Sequence, residues 1–208
     1  MRTRIVWLTA ALLIGFIGFG PSHAQEIENI LANGGFEDGV VTPWSVWGGG
    51  ATGEVVEQLQ GAWIPEDPIE GKFSLHVVVP AAGENSWSSG LEQRGHVFEQ
   101  GKKYTLSAFL KCKEGTLEIR FKPELAQDPW TGYAEQSFTM TEEWTEISIT
   151  TPVFSEDVGP AEIVFHVGFA PGDFWIDGIR WYEGDYVPPD LGEKSLTESG
   201  DCGFWQYP

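Results

Sequence analysis

Cysteine is almost missing from this chain: Cys112 and Cys202 are the two examples among 208 residues. So few thiols rule out a disulfide scaffold, and a chain of this length has room for a sizeable core. Cys112 closes the run Tyr104-Leu106-Ala108-Leu110, the position of a small buried hydrophobe. A bridge to Cys202 is chemically permitted outside the cytoplasm. Basic residues are scarce too, 12 against 31 acidic ones, for a formal charge of −19. Such a chain repels phosphate backbones and most anionic polysaccharides, which excludes nucleic acid and favours a neutral ligand.

Long apolar runs are absent, apart from Ile5 to Phe19 behind Arg2 and Arg4. That run is short for a bilayer span of about 20 residues. With the small residues Ser22 and Ala24 at −3 and −1 of a cleavage site, it predicts a secretory leader over 1–24. The expected protein is therefore secreted, extracellular or periplasmic. It begins near Gln25 and has no membrane span once the leader is removed.

No stretch sustains a 3.6-residue apolar period. Alternation with period two appears instead: Phe73, Leu75, Val77 and Val79 share one face, with Ser74, His76 and Val78 on the other. Leu117-Ile119-Phe121, Ile147-Ile149 and Ile163-Phe165-Val167-Phe169 repeat it. Turn residues at 101–103, 113–115, 158–160 and 171–173 punctuate these runs. Short strands spaced by about ten residues predict an all-β, antiparallel β-sandwich over 25–186. Val187-Pro188-Pro189-Asp190 cannot continue a central strand, so 187–208 reads as a tail or linker.

Catalytic signatures are lacking. There is no Ser-His-Asp motif, no Gly-rich phosphate loop and no zinc spacing. A glycosidase needs two carboxyl groups about 5 to 10 Å apart, and a chain this acidic offers such pairs without their being evidence. A binder or an adhesion domain is the expectation, not an enzyme.

Five pieces of sequence stand in a telling order: "NILANGGFEDG…PW", "EGKFSLHV", "GKKYTLSAFLK", "FTMTEEWTEISI" and "FWIDGIRWYEG". Over Glu28 to Gly184 they resemble the CenC-type carbohydrate-binding modules of families 4 and 9. The resemblance implies a galactose-binding-like jelly roll that binds glucans, xylans and related polysaccharides, often beside a glycoside hydrolase. It also implies a structural calcium, an ion that prefers six to eight oxygens. Carried over by motif, Glu37 and Asp177 supply carboxylates, the carbonyls of Gly35 and Lys72 supply much of the rest, and Glu70 is a further candidate. Glycines suit the place because they let backbone turn inward.

A sugar cleft needs flat aromatic faces and fixed polar groups. Trp87, set among Gly, Asn and three serines, reads as an exposed stacking residue, and the family has an aromatic at the matching place. His166 points opposite to Phe165 and Val167 and matches the family's cleft histidine. Trp130 and Tyr133, in the polar insertion before Phe138, are candidates for a second stacking face. Gln136 and Arg120 are expected to hydrogen-bond the sugar from the face opposite Phe138 and Ile119. The acidic residue the family carries soon after its stacking aromatic has no match here, because Ser88, Ser89 and Gly90 follow Trp87. The remaining tryptophans read as structural: Trp144 at a strand start, Trp175 and Trp181 within the sandwich, and Trp44 and Trp47 as plugs at its end. The alternative is an adhesion or protein-interaction sandwich of the same fold without a sugar site, or an accessory part of a glycoside hydrolase.

Overall fold

The computed structural model describes residues 27–57 and 69–191. The expected leader, Cys202 and most of the expected tail lie outside them. Ten strands follow in chain order: β1 (Ser45–Trp47), β2 (Thr52–Glu57), β3 (Phe73–Val79), β4 (Gly90–Phe98), β5 (Tyr104–Cys112), β6 (Leu117–Leu125), β7 (Gln136–Met140), β8 (Thr145–Thr150), β9 (Val158–His166) and β10 (Gly172–Glu183). Every pairing is antiparallel. Two five-stranded sheets result, β1-β4-β9-β6-β7 and β2-β3-β10-β5-β8. The architecture is a jelly-roll β-sandwich of the galactose-binding-like type. Among the described residues no helix is long and apolar enough to cross a membrane.

Period-two patterning produces this directly. Leu91, Ile119, Phe121, Ile163 and Phe165 of the first sheet meet Leu75, Val77, Leu106, Leu110 and Ile176 of the second in one buried core. Each such side chain contributes about 1.5 to 3 kcal/mol by leaving water. Trp181 stacks on Tyr104 at 4.9 Å, and Phe98 and Phe154 complete an aromatic cluster around them. Cys112 is buried and has no disulfide partner among the described residues, its thiol directed at the carbonyls of Gly115 and Met140.

Five local expectations change. Gly172 and Asp173, expected in a turn at 171–173, open β10 instead, and the turn falls at 168–170. The segment 158–160 is no turn but the start of β9; its Pro160 sits at the strand's beginning, where a missing donor is tolerated, and its carbonyl accepts from Ala126 N–H at 2.9 Å. Phe169 falls past the end of β9 and leaves the inward row. Trp175 lies on the outer face of the second sheet, because Phe174 and Ile176 take the inward positions; it stacks on His76 at 4.5 Å. Trp44 does plug the core, but Trp47 does not, as described below.

The Asn-Gly-Gly segment shows why sequence and sandwich need each other. Gly34 lies flat against β10: Ile179 N–H donates to its carbonyl at 2.9 Å, and a Cβ there would stand 2.0 Å from the Ile179 oxygen. Backbone cannot retreat as a side chain can, so Gly34→Ala is expected to destabilise by about 3 kcal/mol, measurable by urea unfolding. An unchanged midpoint would show that this contact is not needed.

Candidate functional site

Two constellations stand out, one at the joint between the segment around Gly35 and β10, the other on the outer face of the first sheet. At the joint, Asp177 is wholly buried and accepts from the amides of Ile69, Glu70 and Gly178 at 3.0, 3.1 and 2.6 Å. Glu37 accepts from the amides of Lys72 and Phe73 at 2.8 and 3.1 Å. It is thus the Lys72 amide that engages this cluster. A Cβ on Gly35 would lie 3.2 Å from Glu70 Oε1, 3.7 Å from Glu37 Cγ and 3.9 Å from Asp177 Oδ1. Three acidic side chains thus surround this glycine, Glu70 tightly and Glu37 and Asp177 at ordinary contact distance. Gly71, at φ +58, is fixed likewise, since a Cβ there would meet Glu37 Oε1 at 2.1 Å.

Charge at this joint is poorly compensated. Burial pushes the Asp177 carboxyl up to about 8, against the pull of its amide donors. Burial also raises Glu70, with Arg180 opposing and Glu37 adding to the rise. Among the described residues, no three acidic, histidine or cysteine side chains close into a finished ligand shell as they stand. The donor chemistry is nevertheless all oxygen, and the excess negative charge is of the kind a hard cation neutralises.

On the outer face of the first sheet, register builds three rows. Trp47, Gly90, His166, Arg120 and Ser137 form the first. Glu92, Val164 and Lys122 form the second, and Arg94, Glu162 and Glu124 the third. Four residues of β9 separate the first row from the third, about 13 Å at the usual strand rise. Trp47 leans over Gly90, whose absent Cβ would stand 2.7 Å from Trp47 Cζ2, and meets the His166 ring edge-on at 6.3 Å. Trp47 therefore lies on this outer face.

His166 is 5% exposed. Burial, reinforced by the charges of Lys122 and Arg120, holds its imidazole down to about 4, so it is neutral near pH 7. Trp87 is 54% exposed, on a 3-10 turn at Ser86–Ser88. That turn is pinned beside His166: Gly168 N–H donates to the Ser86 carbonyl at 2.8 Å, and Val167 N–H to Ser89 at 2.9 Å. Three buried polar atoms at this end, Trp47 Nε1, Ser89 Oγ and His166 Nδ1, have no hydrogen-bond partner among the described residues.

Trp130 marks the far end. It is 45% exposed and adopts φ +56, a left-handed conformation that costs a bulky residue about 1 to 2 kcal/mol. Its ring lies 5.7 Å from the Arg94 guanidinium, which in turn pairs with Glu92 at 2.7 Å and Glu162 at 2.8 Å. Lys122 pairs with Glu124, whose other oxygen is 4.0 Å from His166 Nε2. Exposure and a strained backbone at one tryptophan make Trp130 a candidate for a functional contact.

Two expected site residues fall elsewhere. Tyr133 is not a stacking face: its ring packs on Phe98 at 5.9 Å and Phe154 at 5.2 Å, because the 126–135 loop folds back on β6 through Tyr133 N–H to the Pro123 carbonyl. Gln136 lies on the same side of β7 as Phe138, two residues away, opposite Phe121, and so does not share the face of Arg120. Arg120 is on the outer face, as its alternation with Ile119 requires. The ion network of Glu92, Arg94, Lys122, Glu124 and Glu162 escaped the sequence reading. Its signal was available in the charged residues that alternate with Leu91, Phe121 and Ile163.

Glu162, only 1% exposed, gives this network a pH signature. Burial, with the charges of Glu92 and Glu124 and against that of Arg94, pushes its carboxyl up to about 7. An acid weaker in the folded than in the unfolded state takes up a proton on folding. Its contribution is therefore most favourable below about 4.5, the ordinary value, and declines as pH rises to about 7. Melting temperature is expected to fall across that window, and Glu162→Gln to flatten the decline. An equal slope in the variant would assign it to other groups.

A two-sheet sandwich whose first sheet carries polar side chains on its outer face, with exposed indoles at two ends, has the architecture of a binding module. The chain belongs to the carbohydrate-binding domain family 4/9, whose model matches residues 28–172. Solved structures agree on the fold. A structure described as "CBM4 structure and function" is 19% identical, with a TM-score of 0.55, covering 74% of this chain and 99% of its own. The xylan-binding domain of Xyn10C from Paenibacillus barcinonensis is 15% identical, with a TM-score of 0.54 and coverages of 79% and 100%. A family 61 module in complex with β-1,4-galactotriose is 20% identical, with a TM-score of 0.53 and coverages of 76% and 99%. No curated protein matches the chain.

Proposed function

We propose that this protein is a secreted, non-catalytic module that holds a polysaccharide with a neutral β-glucan or xylan backbone in the trough of the first sheet, as a partner of a glycoside hydrolase. The reading is carried by one observation: an exposed indole, Trp87, stands on a turn whose backbone is pinned beside His166 on the outer face of the first sheet. A pyranose ring offers the indole its C–H face, and its hydroxyls both donate and accept. Neutral His166 serves as a donor or acceptor without adding charge. Trp130, with Arg94 behind it, is a second flat face at the far end. The xylan-binding and galactotriose-bound neighbours support the ligand class by likeness of fold.

A calcium ion belongs to the same reading. Glu37, Glu70 and Asp177, with backbone around Gly35 and Lys72, are the residues that would hold it. It would supply positive charge joining the segment around Gly35 to β10 and the turn before β3. Affinity electrophoresis against β-glucan, xylan and laminarin tests the binding. Retardation by at least one of them is expected; unchanged mobility in all would favour an adhesion domain without a sugar site.

A further inference from the structure

Arginine is rare in the described residues, and its three examples are treated unequally. Arg94 is held by two carboxylates and Arg180 by Glu146 at 2.6 Å. Arg120 makes no ion pair among the described residues. Its Nε reaches only Ser137 Oγ at 3.5 Å, and its guanidinium sits 5.8 Å from the Phe169 ring. The protein has 31 acidic residues to choose from. Glu118, the neighbouring outward residue on β6, does not pair with it. A half-exposed guanidinium left without a carboxylate, in so acidic a chain, is available to a carboxylate from outside.

Position agrees with that. Arg120 lies in the row of His166, at the end of the trough where the Trp87 turn is pinned. Its guanidinium carbon lies 5.8 Å from the centre of the Phe169 ring, a cation–π contact that leaves its N–H donors for a ligand. Lys122, one row away, is paired with Glu124, so among the described residues Arg120 is the cation beside His166 that has no carboxylate of its own. The chain's overall negative charge does not decide the matter. Exposed charges farther than about 8 Å are screened at physiological ionic strength, whereas a bidentate guanidinium–carboxylate contact is short-ranged.

We propose that the polysaccharide this trough takes carries carboxylate substituents, uronic acid groups on an otherwise neutral backbone, and that Arg120 is the residue that selects them. The proposal rests on the polysaccharide-binding reading above, and the test separates the two.

Isothermal titration would compare glucuronoxylan with the same polysaccharide after its carboxyl groups are reduced to alcohols. Tighter binding of the acidic form, by about tenfold, is expected at low salt. The preference should shrink when salt is raised several-fold. Arg120→Gln should remove the preference, and Arg120→Lys should retain part of it as a charge without the fork. The melting temperature of each variant checks folding. Equal binding of both polymers by the unaltered protein overturns the proposal and leaves polysaccharide binding standing. Binding of neither polymer, nor of any in the electrophoresis panel, overturns both.

Discussion

Trp87→Ala is expected to cost about 2 kcal/mol of polysaccharide affinity, about a thirtyfold rise in Kd, with no measurable change in melting temperature. The separation follows from where the indole stands. It is 54% exposed, so little of its surface supports the fold, and its turn is held by backbone bonds of Ser86 and Ser89 that do not need the ring. Its loss removes the flat face on which a pyranose would lie at the polar end of the trough. Trp87→Phe should recover part of the affinity, because a smaller aromatic face remains. Isothermal titration with whichever polymer retards the unaltered protein reads both. A Trp87→Ala variant that binds normally would move the site away from this end of the sheet. Trp130 would then be the candidate to examine, since its left-handed backbone is a cost the fold has no need of.

Chelation should give a stability change nearly as large as that of Gly34→Ala. If calcium occupies the joint, a free concentration about 100-fold above its Kd stabilises the folded state by about 2.7 kcal/mol. For a domain of this size that is about 5 to 10 °C of melting temperature, lost on adding a chelator and restored by calcium. Asp177→Asn should remove the response: the amide oxygen can still accept from Ile69 and Glu70, but the charge that draws a divalent cation is gone. The variant and the unaltered protein should therefore differ with calcium and converge with chelator. Identical melting of the unaltered protein in both conditions would mean that the amide bonds to Glu37 and Asp177 suffice to tie the segment around Gly35 to β10 and the turn before β3.

Much of the architecture was legible because strand periodicity is a local property. Leu75, Val77 and Val79, or Ile163 and Phe165, declare a buried face by their spacing alone, whichever strand lies beside them. The same rule, applied without a slip, places Arg120 outward; applied to Gln136 it shows that residue sharing the side of Phe138. Loops were harder. Tyr133 and Trp130 are three residues apart in one polar insertion, yet one ring enters the core and the other stays in water. A hydrogen bond from Tyr133 to Pro123 makes that choice, and nothing in the insertion's composition announces it. Trp44 and Trp47 part company for a similar reason, one over Phe165 within the sandwich, the other over Gly90 outside it.

By itself the sequence determined a β-sandwich and its inward faces, since both depend on residues a few positions apart. Only the tertiary structure decided that Trp87 stands beside His166, that Arg94 is held between two glutamates while Arg120 has none, and that the side chains of Glu37, Glu70 and Asp177 lie around Gly35. Those facts are set by cross-strand register between segments distant along the chain, and register is fixed when two whole sheets bury their faces against each other.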